Sequence, residues 1–288
     1  MPVEIRQIDI SQACEFPVCV VSHSSQVGAH VALWYSCEPP GSRRLLHQAW
    51  HYLTCDDTPA EFLARGHGCG PVVMVVPTLD EDEGEHLRLM CIVVAQRLRK
   101  TRGIGYAIDS HDVKLRLDGS FDMGASRGVT CATFVLKIFQ ALSIPFLLEN
   151  TWKEITDQDR LNEDKTAHKA VVAGLRATAR KTTDRQDREE IEEHARAIEA
   201  EIDAPRVRAE EIAAASGLTP RPGTYATVEP PGRAVLCAVN PSKYRPTSPG
   251  PGDPTASVPL GPLTPPAGPK RPPESSLKDA GTAEGCVE

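Results

Sequence analysis

The chain has 288 residues, 40% of them hydrophobic and 25% charged, with a formal net charge of -7. That length buries a substantial core in one or two domains, and the acidic balance argues against nucleic acid, which needs a basic surface, as the main partner. No apolar run has the length of a membrane span, residues 1–11 carry no signal pattern, and nine scattered cysteines fit reduced thiols in a cytoplasmic setting better than a disulfide framework.

Residues 16–35 favour strands, with Val18, Val20 and Val21 before a Ser-Ser-Gln-Val-Gly joint and Val31, Leu33, Trp34 and Tyr35 after it. Residues 36–41 have turn composition, and a second strand follows over 43–50, so the two strands read as a hairpin. A loop over 36–41 sets Tyr35 opposite Ser42 and therefore His30 opposite His47. The two histidines then share one face, whereas a slip of one residue would send them to opposite faces.

Residues 60–70 read as a short helix or a glycine-broken loop, and 71–76 as a buried apolar strand. A strong helix signal starts at Asp80, where acidic residues crowd the first turns, and ends with Arg97, Arg99, Lys100 and Arg102 before Gly103. This distribution complements the helix dipole, and Leu87, Met90, Cys91, Val94 and Leu98 supply the inner face. The acidic run is a solvated helix start. Segments 105–109 and 113–117 look strand-like, with Asp109 and His111 as polar residues suited to a cleft. His47, His51 and Cys55 lie four apart, a spacing that on one helix would suit zinc, with His67 and Cys69 beyond. Neither C-x-x-C nor H-E-x-x-H is present, so no metal and no cofactor is expected.

Cys131, Phe134, Val135, Ile138, Phe139 and Leu142 recur at the steps of one buried helical face. Gly128 offers unusual backbone freedom just ahead, Thr130 or Ser126 suits the cap, and Ser143-Ile144-Pro145 ends the helix. A thiol in a first helical turn meets unpaired N–H groups and the positive dipole end, which favour the thiolate that attacks carbonyls. The competing reading is a cysteine that only packs.

Residues 165–180 and 185–202 read as two helices with narrow apolar stripes, leaving His168 and His194 in solvent. A third, over 208–216, ends at Gly217. Segments 224–228 and 233–239 look like a short hairpin around Pro230 and Pro231. Residues from about 240 to 288 turn to proline, glycine, serine and threonine, the composition of a disordered tail.

The order of these pieces, His30-Val-Ala-Leu-Trp-Tyr, then Leu46-His47-Gln-Ala-Trp, a helix, and Cys131-Ala-Thr-Phe-Val, resembles the circularly permuted papain-like thiol enzymes. That group contains the NlpC-type and lecithin:retinol acyltransferase-like proteins. The resemblance covers roughly residues 18–146. It implies an α+β fold with an antiparallel sheet packed on helices, Cys131 as nucleophile, His30 as base and His47 as the residue that orients it. Thr130 replaces the asparagine that often precedes the nucleophile in the acyltransferase branch, and the histidine spacing is longer.

The expected organisation is a papain-like core over 1–150, a helical extension with a short hairpin over 151–239, and a disordered tail over 240–288. The expected activity is a hydrolase or acyltransferase acting on a peptide, amide or acyl substrate through an acyl-enzyme on Cys131. The other class of reading is a catalytically inactive protein of the same fold that uses residues 151–239 and the tail to contact a protein partner.

Overall fold

The computed structural model describes residues 3–244, apart from 11–15, 26–27, 39–41, 63, 65–70, 102, 109 and 125–127. Ser126, His67, Cys69, Asp109 and the tail beyond residue 244 lie outside the described residues. An antiparallel sheet organises the rest. It comprises β1 (Ile5–Ile8), β2 (Val18–Ser25), β3 (Gly28–Cys37), β4 (Ser42–Trp50), β5 (Leu53–Asp57) and β6 (Val72–Val75), in the spatial order β1-β6-β2-β3-β4-β5. A minor two-stranded piece pairs β7 (Lys114–Leu115) with β8 (Phe121–Asp122).

Strand alternation splits the sheet into two faces with different tasks. Val20, Val31, Leu33, Tyr35, Leu46, Val73 and Val75 point to the larger core. That face is covered by α2 (Glu81–Leu98), α3 (Cys131–Ala141), α6 (Ala209–Ser216) and α7 (Tyr225–Val239). Cys19, Val21, Ala32, Trp34, Leu45 and Met74 point the other way, onto Ile10 and Phe62 from the one-turn helix α1 (Pro59–Phe62). Each fully buried Val, Leu or Phe removes enough apolar area to contribute about 1.5–3 kcal/mol.

The helices start where their sequences direct. Asp80 caps α2 in a capping box, its carboxylate accepting from the Glu83 N–H at 2.8 Å while the Glu83 carboxylate accepts from the Asp80 N–H at 3.2 Å. Helix α6 is alanine-rich and wholly buried, and its small side chains let it lie close to the sheet. At its exit, a Cβ on Gly217 would fall 2.8 Å from Val75 Cγ1. Residues of α6 and α7 belong to the larger core. Asn240 Nδ2 donates to Ser24 Oγ at 3.1 Å and Tyr244 packs on that core, so ordered chain continues past the expected tail boundary.

Several expectations are corrected. Residues 225–239 are one helix, not two strands, since Val228, Val235, Leu236 and Val239 form a single buried stripe. Their burial outweighs the cost of Pro230 and Pro231 inside the helix. Helix α4 (Gln158–Lys181) begins seven residues before the expected start, capped by Asp157. It pairs with α5 (Arg185–Ala200) through Val171, Leu175, Ile191, Ala195 and Ile198, which also meet Tyr106 and Ile108. His168 and His194 are buried rather than solvated, with His168 Nδ1 donating to the Ile202 carbonyl at 3.0 Å.

A buried ionic network ties α4 to α6. Asp164 accepts from Arg208 Nε at 2.8 Å and from Arg206 Nε at 3.1 Å, while Glu211 accepts from Arg160 Nη1 at 2.5 Å and Trp152 Nε1 at 2.9 Å. Removing one partner strands buried charge, which costs more than the pair itself contributes. Asp164→Ala is therefore expected to lower unfolding stability by about 3–5 kcal/mol. Urea denaturation checks this, and a loss below about 1 kcal/mol would mean that the network relaxes or hydrates.

Candidate functional site

The candidate site gathers where β3 and β4 part. Their ladder runs from Cys37 opposite Ser42 to Leu33 opposite Leu46. The register differs from expectation by two residues, since Cys37 rather than Tyr35 faces Ser42. An even shift preserves side-chain faces, so His30 and His47 still share one. Extending the register sets His47 level with Ala32, and His30 meets it diagonally. His30 Nε2 lies 2.9 Å from His47 Nδ1, with the ring planes nearly perpendicular.

Behind His47 stands Asp57, its Oδ2 3.3 Å from His47 Nε2. Both side chains are buried. Asp57 went unnoticed in the sequence because residues 53–57, Leu-Thr-Cys-Asp-Asp, carry too little apolar alternation to mark a strand. Once β5 is placed, Cys55 falls directly opposite His47, and Asp57, two residues on, takes the same face. His23 was missed as well. It is the cross-strand partner of His30 on β2, its ring centroid 5.1 Å from that of His30, and its Nδ1 meets the Ser24 carbonyl at 2.6 Å. Phe62 lies edge-on to His23 and His47 and closes this side of the cluster.

A carboxylate oxygen only accepts hydrogen bonds, so its contact makes His47 Nε2 the donor. A neutral imidazole then presents Nδ1 as acceptor, and His30 Nε2 supplies the proton shared between the rings. The same reasoning puts the lone pair of His30 on Nδ1. Ser22 Oγ donates to the His30 carbonyl at 3.0 Å and fixes its backbone.

Cys131 is the first residue of α3, as its spacing predicted, and is half-buried. Thr130 caps the helix. Its hydroxyl accepts from the Thr133 N–H at 3.1 Å, while Thr133 Oγ1 accepts from the Thr130 N–H at 2.8 Å. The Phe134 N–H returns to the Thr130 carbonyl at 2.9 Å. That leaves the first two helical N–H groups without intrahelical acceptors, and the Ala132 N–H addresses the Cys131 sulfur.

A second N–H on the sulfur comes from Val31, the residue after His30. Helix α3 covers the Val31–Leu33 side of β3, whereas the His30 ring leans toward the Ala32–Trp34 side. The sulfur thus reaches the strand at its backbone edge, next to the peptide that carries His30. The expectation of an acidified thiol does not hold. Burial pushes the Cys131 thiol above its ordinary value, outweighing the Val31 and Ala132 N–H groups and the Arg206 guanidinium. The Glu210 carboxyl, itself raised by burial and by Glu211, pushes the same way.

Other candidates are not part of this group. His51 does not join His47, since it sits in the β4–β5 turn, where Nδ1 accepts from the Tyr106 N–H at 3.1 Å and its ring meets that of His194. His111 is exposed beside Asp112. Donor atoms of His47, Cys55 and Asp57 lie within 4.8 Å of one another, a cross-strand arrangement that helical spacing did not foresee. Among the described residues, no helix is long and apolar enough to cross a membrane. No protein-family model, curated protein or solved structure matches this chain.

Gly128 is needed for a close approach rather than for an unusual backbone angle. A Cβ there would fall 2.5 Å from the Gly105 carbonyl oxygen, which accepts from the Val129 N–H at 3.0 Å. Gly128→Ala is expected to cost about 1–3 kcal/mol in urea unfolding, because backbone rather than a flexible side chain must move. A neutral substitution would show that the joint before α3 is loose. The raised thiol predicts slow iodoacetamide labelling of Cys131 at neutral pH, accelerating as pH climbs past the ordinary thiol value of about 8.5. Peptide mass spectrometry reads this directly, and fast labelling near pH 6 would contradict it.

Proposed function

We propose that this chain is a cysteine-dependent hydrolase or acyltransferase with a circularly permuted papain-like site, in which Cys131 is the nucleophile, His30 the base and His47 the orienting residue. The observation that carries this reading is the hydrogen-bonded run from Asp57 through His47 to His30, which ends one peptide from the N–H that addresses the Cys131 sulfur. The run polarises in one direction. Asp57 holds His47 in a single tautomer, and His47 in turn holds the His30 lone pair on Nδ1. The Cys131 sulfur approaches β3 from the helix side while the His30 ring leans to the other, so this reading requires the two to meet around the strand end where the β3–β4 ladder stops.

Chemistry follows the general-base route. As the Cys131 sulfur bonds to the carbonyl carbon of an amide, ester or thioester, its proton passes to His30 Nδ1 and the carbonyl electron pair moves onto oxygen. The Cys131 N–H, without an intrahelical acceptor, is placed to receive that oxyanion. Collapse breaks the bond to the leaving group, which takes the proton from His30 and leaves an acyl-cysteine. Water, or an amine or alcohol acceptor, enters by the same steps in reverse. Starting from thiol rather than thiolate suits a sulfur whose burial disfavours charge.

Asp57 extends the site beyond the three residues expected. Asp57 acts on the base through His47: by holding the His47 Nε2 proton it leaves His47 Nδ1 to accept from His30 Nε2, which stabilises the positive charge formed on His30 during attack.

Incubation with activated acyl esters and peptide amides, followed by intact-mass measurement, is expected to reveal an acyl adduct on Cys131. Cys131→Ala should abolish both adduct and turnover while the fold is retained. Asp57→Asn should lower kcat on the order of 100-fold or more by allowing the wrong His47 tautomer. A fully active Cys131→Ala variant would end the catalytic reading and leave the interaction-protein reading.

A further inference from the structure

The cluster behind the histidine pair has a second capacity. We propose that His47, Cys55 and Asp57 form a binding site for a single zinc-type divalent ion, held by His47 Nε2, Cys55 Sγ and an Asp57 carboxylate oxygen.

Geometry is the first argument. The three donor atoms lie within 4.8 Å of one another, and all three side chains are almost fully buried, at 0%, 5% and 4% exposure in the order named. The His47 Nε2 to Asp57 Oδ2 distance of 3.3 Å is long for a charge-assisted hydrogen bond, which is usually nearer 2.8 Å. It equals the ligand-to-ligand edge, about 3.3–3.4 Å, of a tetrahedron whose nitrogen and oxygen ligands sit about 2.0–2.1 Å from the ion.

Rigidity is the second. His47 and Cys55 are direct cross-strand partners, and Asp57 is the next residue on the same face, so the sheet itself sets their separation. The donors come from strand positions rather than mobile loops, and Phe62 packs edge-on against the His47 ring.

Charge and softness select the ion. A cysteine thiolate and a carboxylate together neutralise a divalent cation, which lets it enter a buried site. Nitrogen and sulfur donors favour zinc and its borderline neighbours over magnesium or calcium, which take oxygen. Three protein ligands leave a fourth position for water or a small ligand.

Occupancy would also act on the neighbouring ring. An ion on His47 Nε2 forces the ring proton onto Nδ1, which then donates to His30 Nε2 and moves the His30 lone pair off Nδ1. That consequence rests on the catalytic reading of His30, whereas the ion site does not.

The test is therefore a binding measurement that needs no turnover. The full chain, stripped with a chelator under reducing conditions, is titrated with cobalt(II), and the thiolate-to-cobalt absorption band is followed and then displaced with zinc. The expected result is a saturable band at one equivalent that disappears in Cys55→Ser and persists in Cys131→Ala. Should Cys55→Ser fail to fold, Asp57→Asn must weaken cobalt binding. No saturable band in the native chain, a band that survives Cys55→Ser, or Asp57→Asn binding like native would overturn the site.

Discussion

A buried carboxylate beside a buried imidazole gives the centre of this molecule its direction. Asp57 accepts only, so each nitrogen along the route to His30 acquires a fixed role, and two rings that would otherwise interconvert between tautomers are held in one arrangement. The low-dielectric surroundings strengthen both hydrogen bonds and make the loss of either costly. Sheet geometry supplies this arrangement. Antiparallel pairing puts Cys55 against His47, and pleating puts Asp57 on the same face two residues later.

On the opposite face, the sheet serves as the floor for four helices, and α3 delivers Cys131 to the strand edge. Two effects compete at that sulfur. The helix start offers N–H groups and a favourable dipole, and Arg206 adds positive charge, all of which stabilise a thiolate. Burial and Glu210 oppose them, and burial dominates. Proximity to a helix start is therefore insufficient to acidify a cysteine. The balance depends on how much water the surrounding core excludes, and here Thr130, Ala132 and Thr133 beside the half-buried Cys131 are themselves buried.

Where local chemistry determined structure, the sequence was legible. The acidic start of α2, Thr130 as one of two cap candidates for α3, the stripes of both helices, and the β2–β3–β4 strands follow from short-range pattern. The β3–β4 register was misplaced by two residues, yet the histidine pairing survived because an even shift leaves pleat faces unchanged. What remained hidden was set by distant contacts. Strand β5 has a polar sequence and exists because β4 offers it an edge, so Asp57 could not be seen as a neighbour of His47. Helix α7 contains two prolines that read as a break, and only packing against the larger core reveals its stripe. His168 and His194 looked solvated because their own helices are rich in charge, but the α4–α5 pairing buries them.

The residues that would orient the proposed base and those that would hold an ion overlap at a single nitrogen, His47 Nε2. A proton there and a metal there are mutually exclusive, and each choice sends the opposite tautomer along the chain to His30. With the proton, the carboxylate draws charge toward itself and the distal ring keeps its lone pair on Nδ1, the arrangement that the proposed base requires. With a metal, the inter-ring proton reverses its donor and that ring becomes a donor at the same atom. The strands need not move for this exchange, because the 3.3 Å separation of His47 Nε2 and Asp57 Oδ2 accommodates both a long hydrogen bond and a tetrahedral edge. One rigid cross-strand pair is thus compatible with two chemical states, and Cys55, opposite His47 and outside the proposed acyl-transfer steps, distinguishes them.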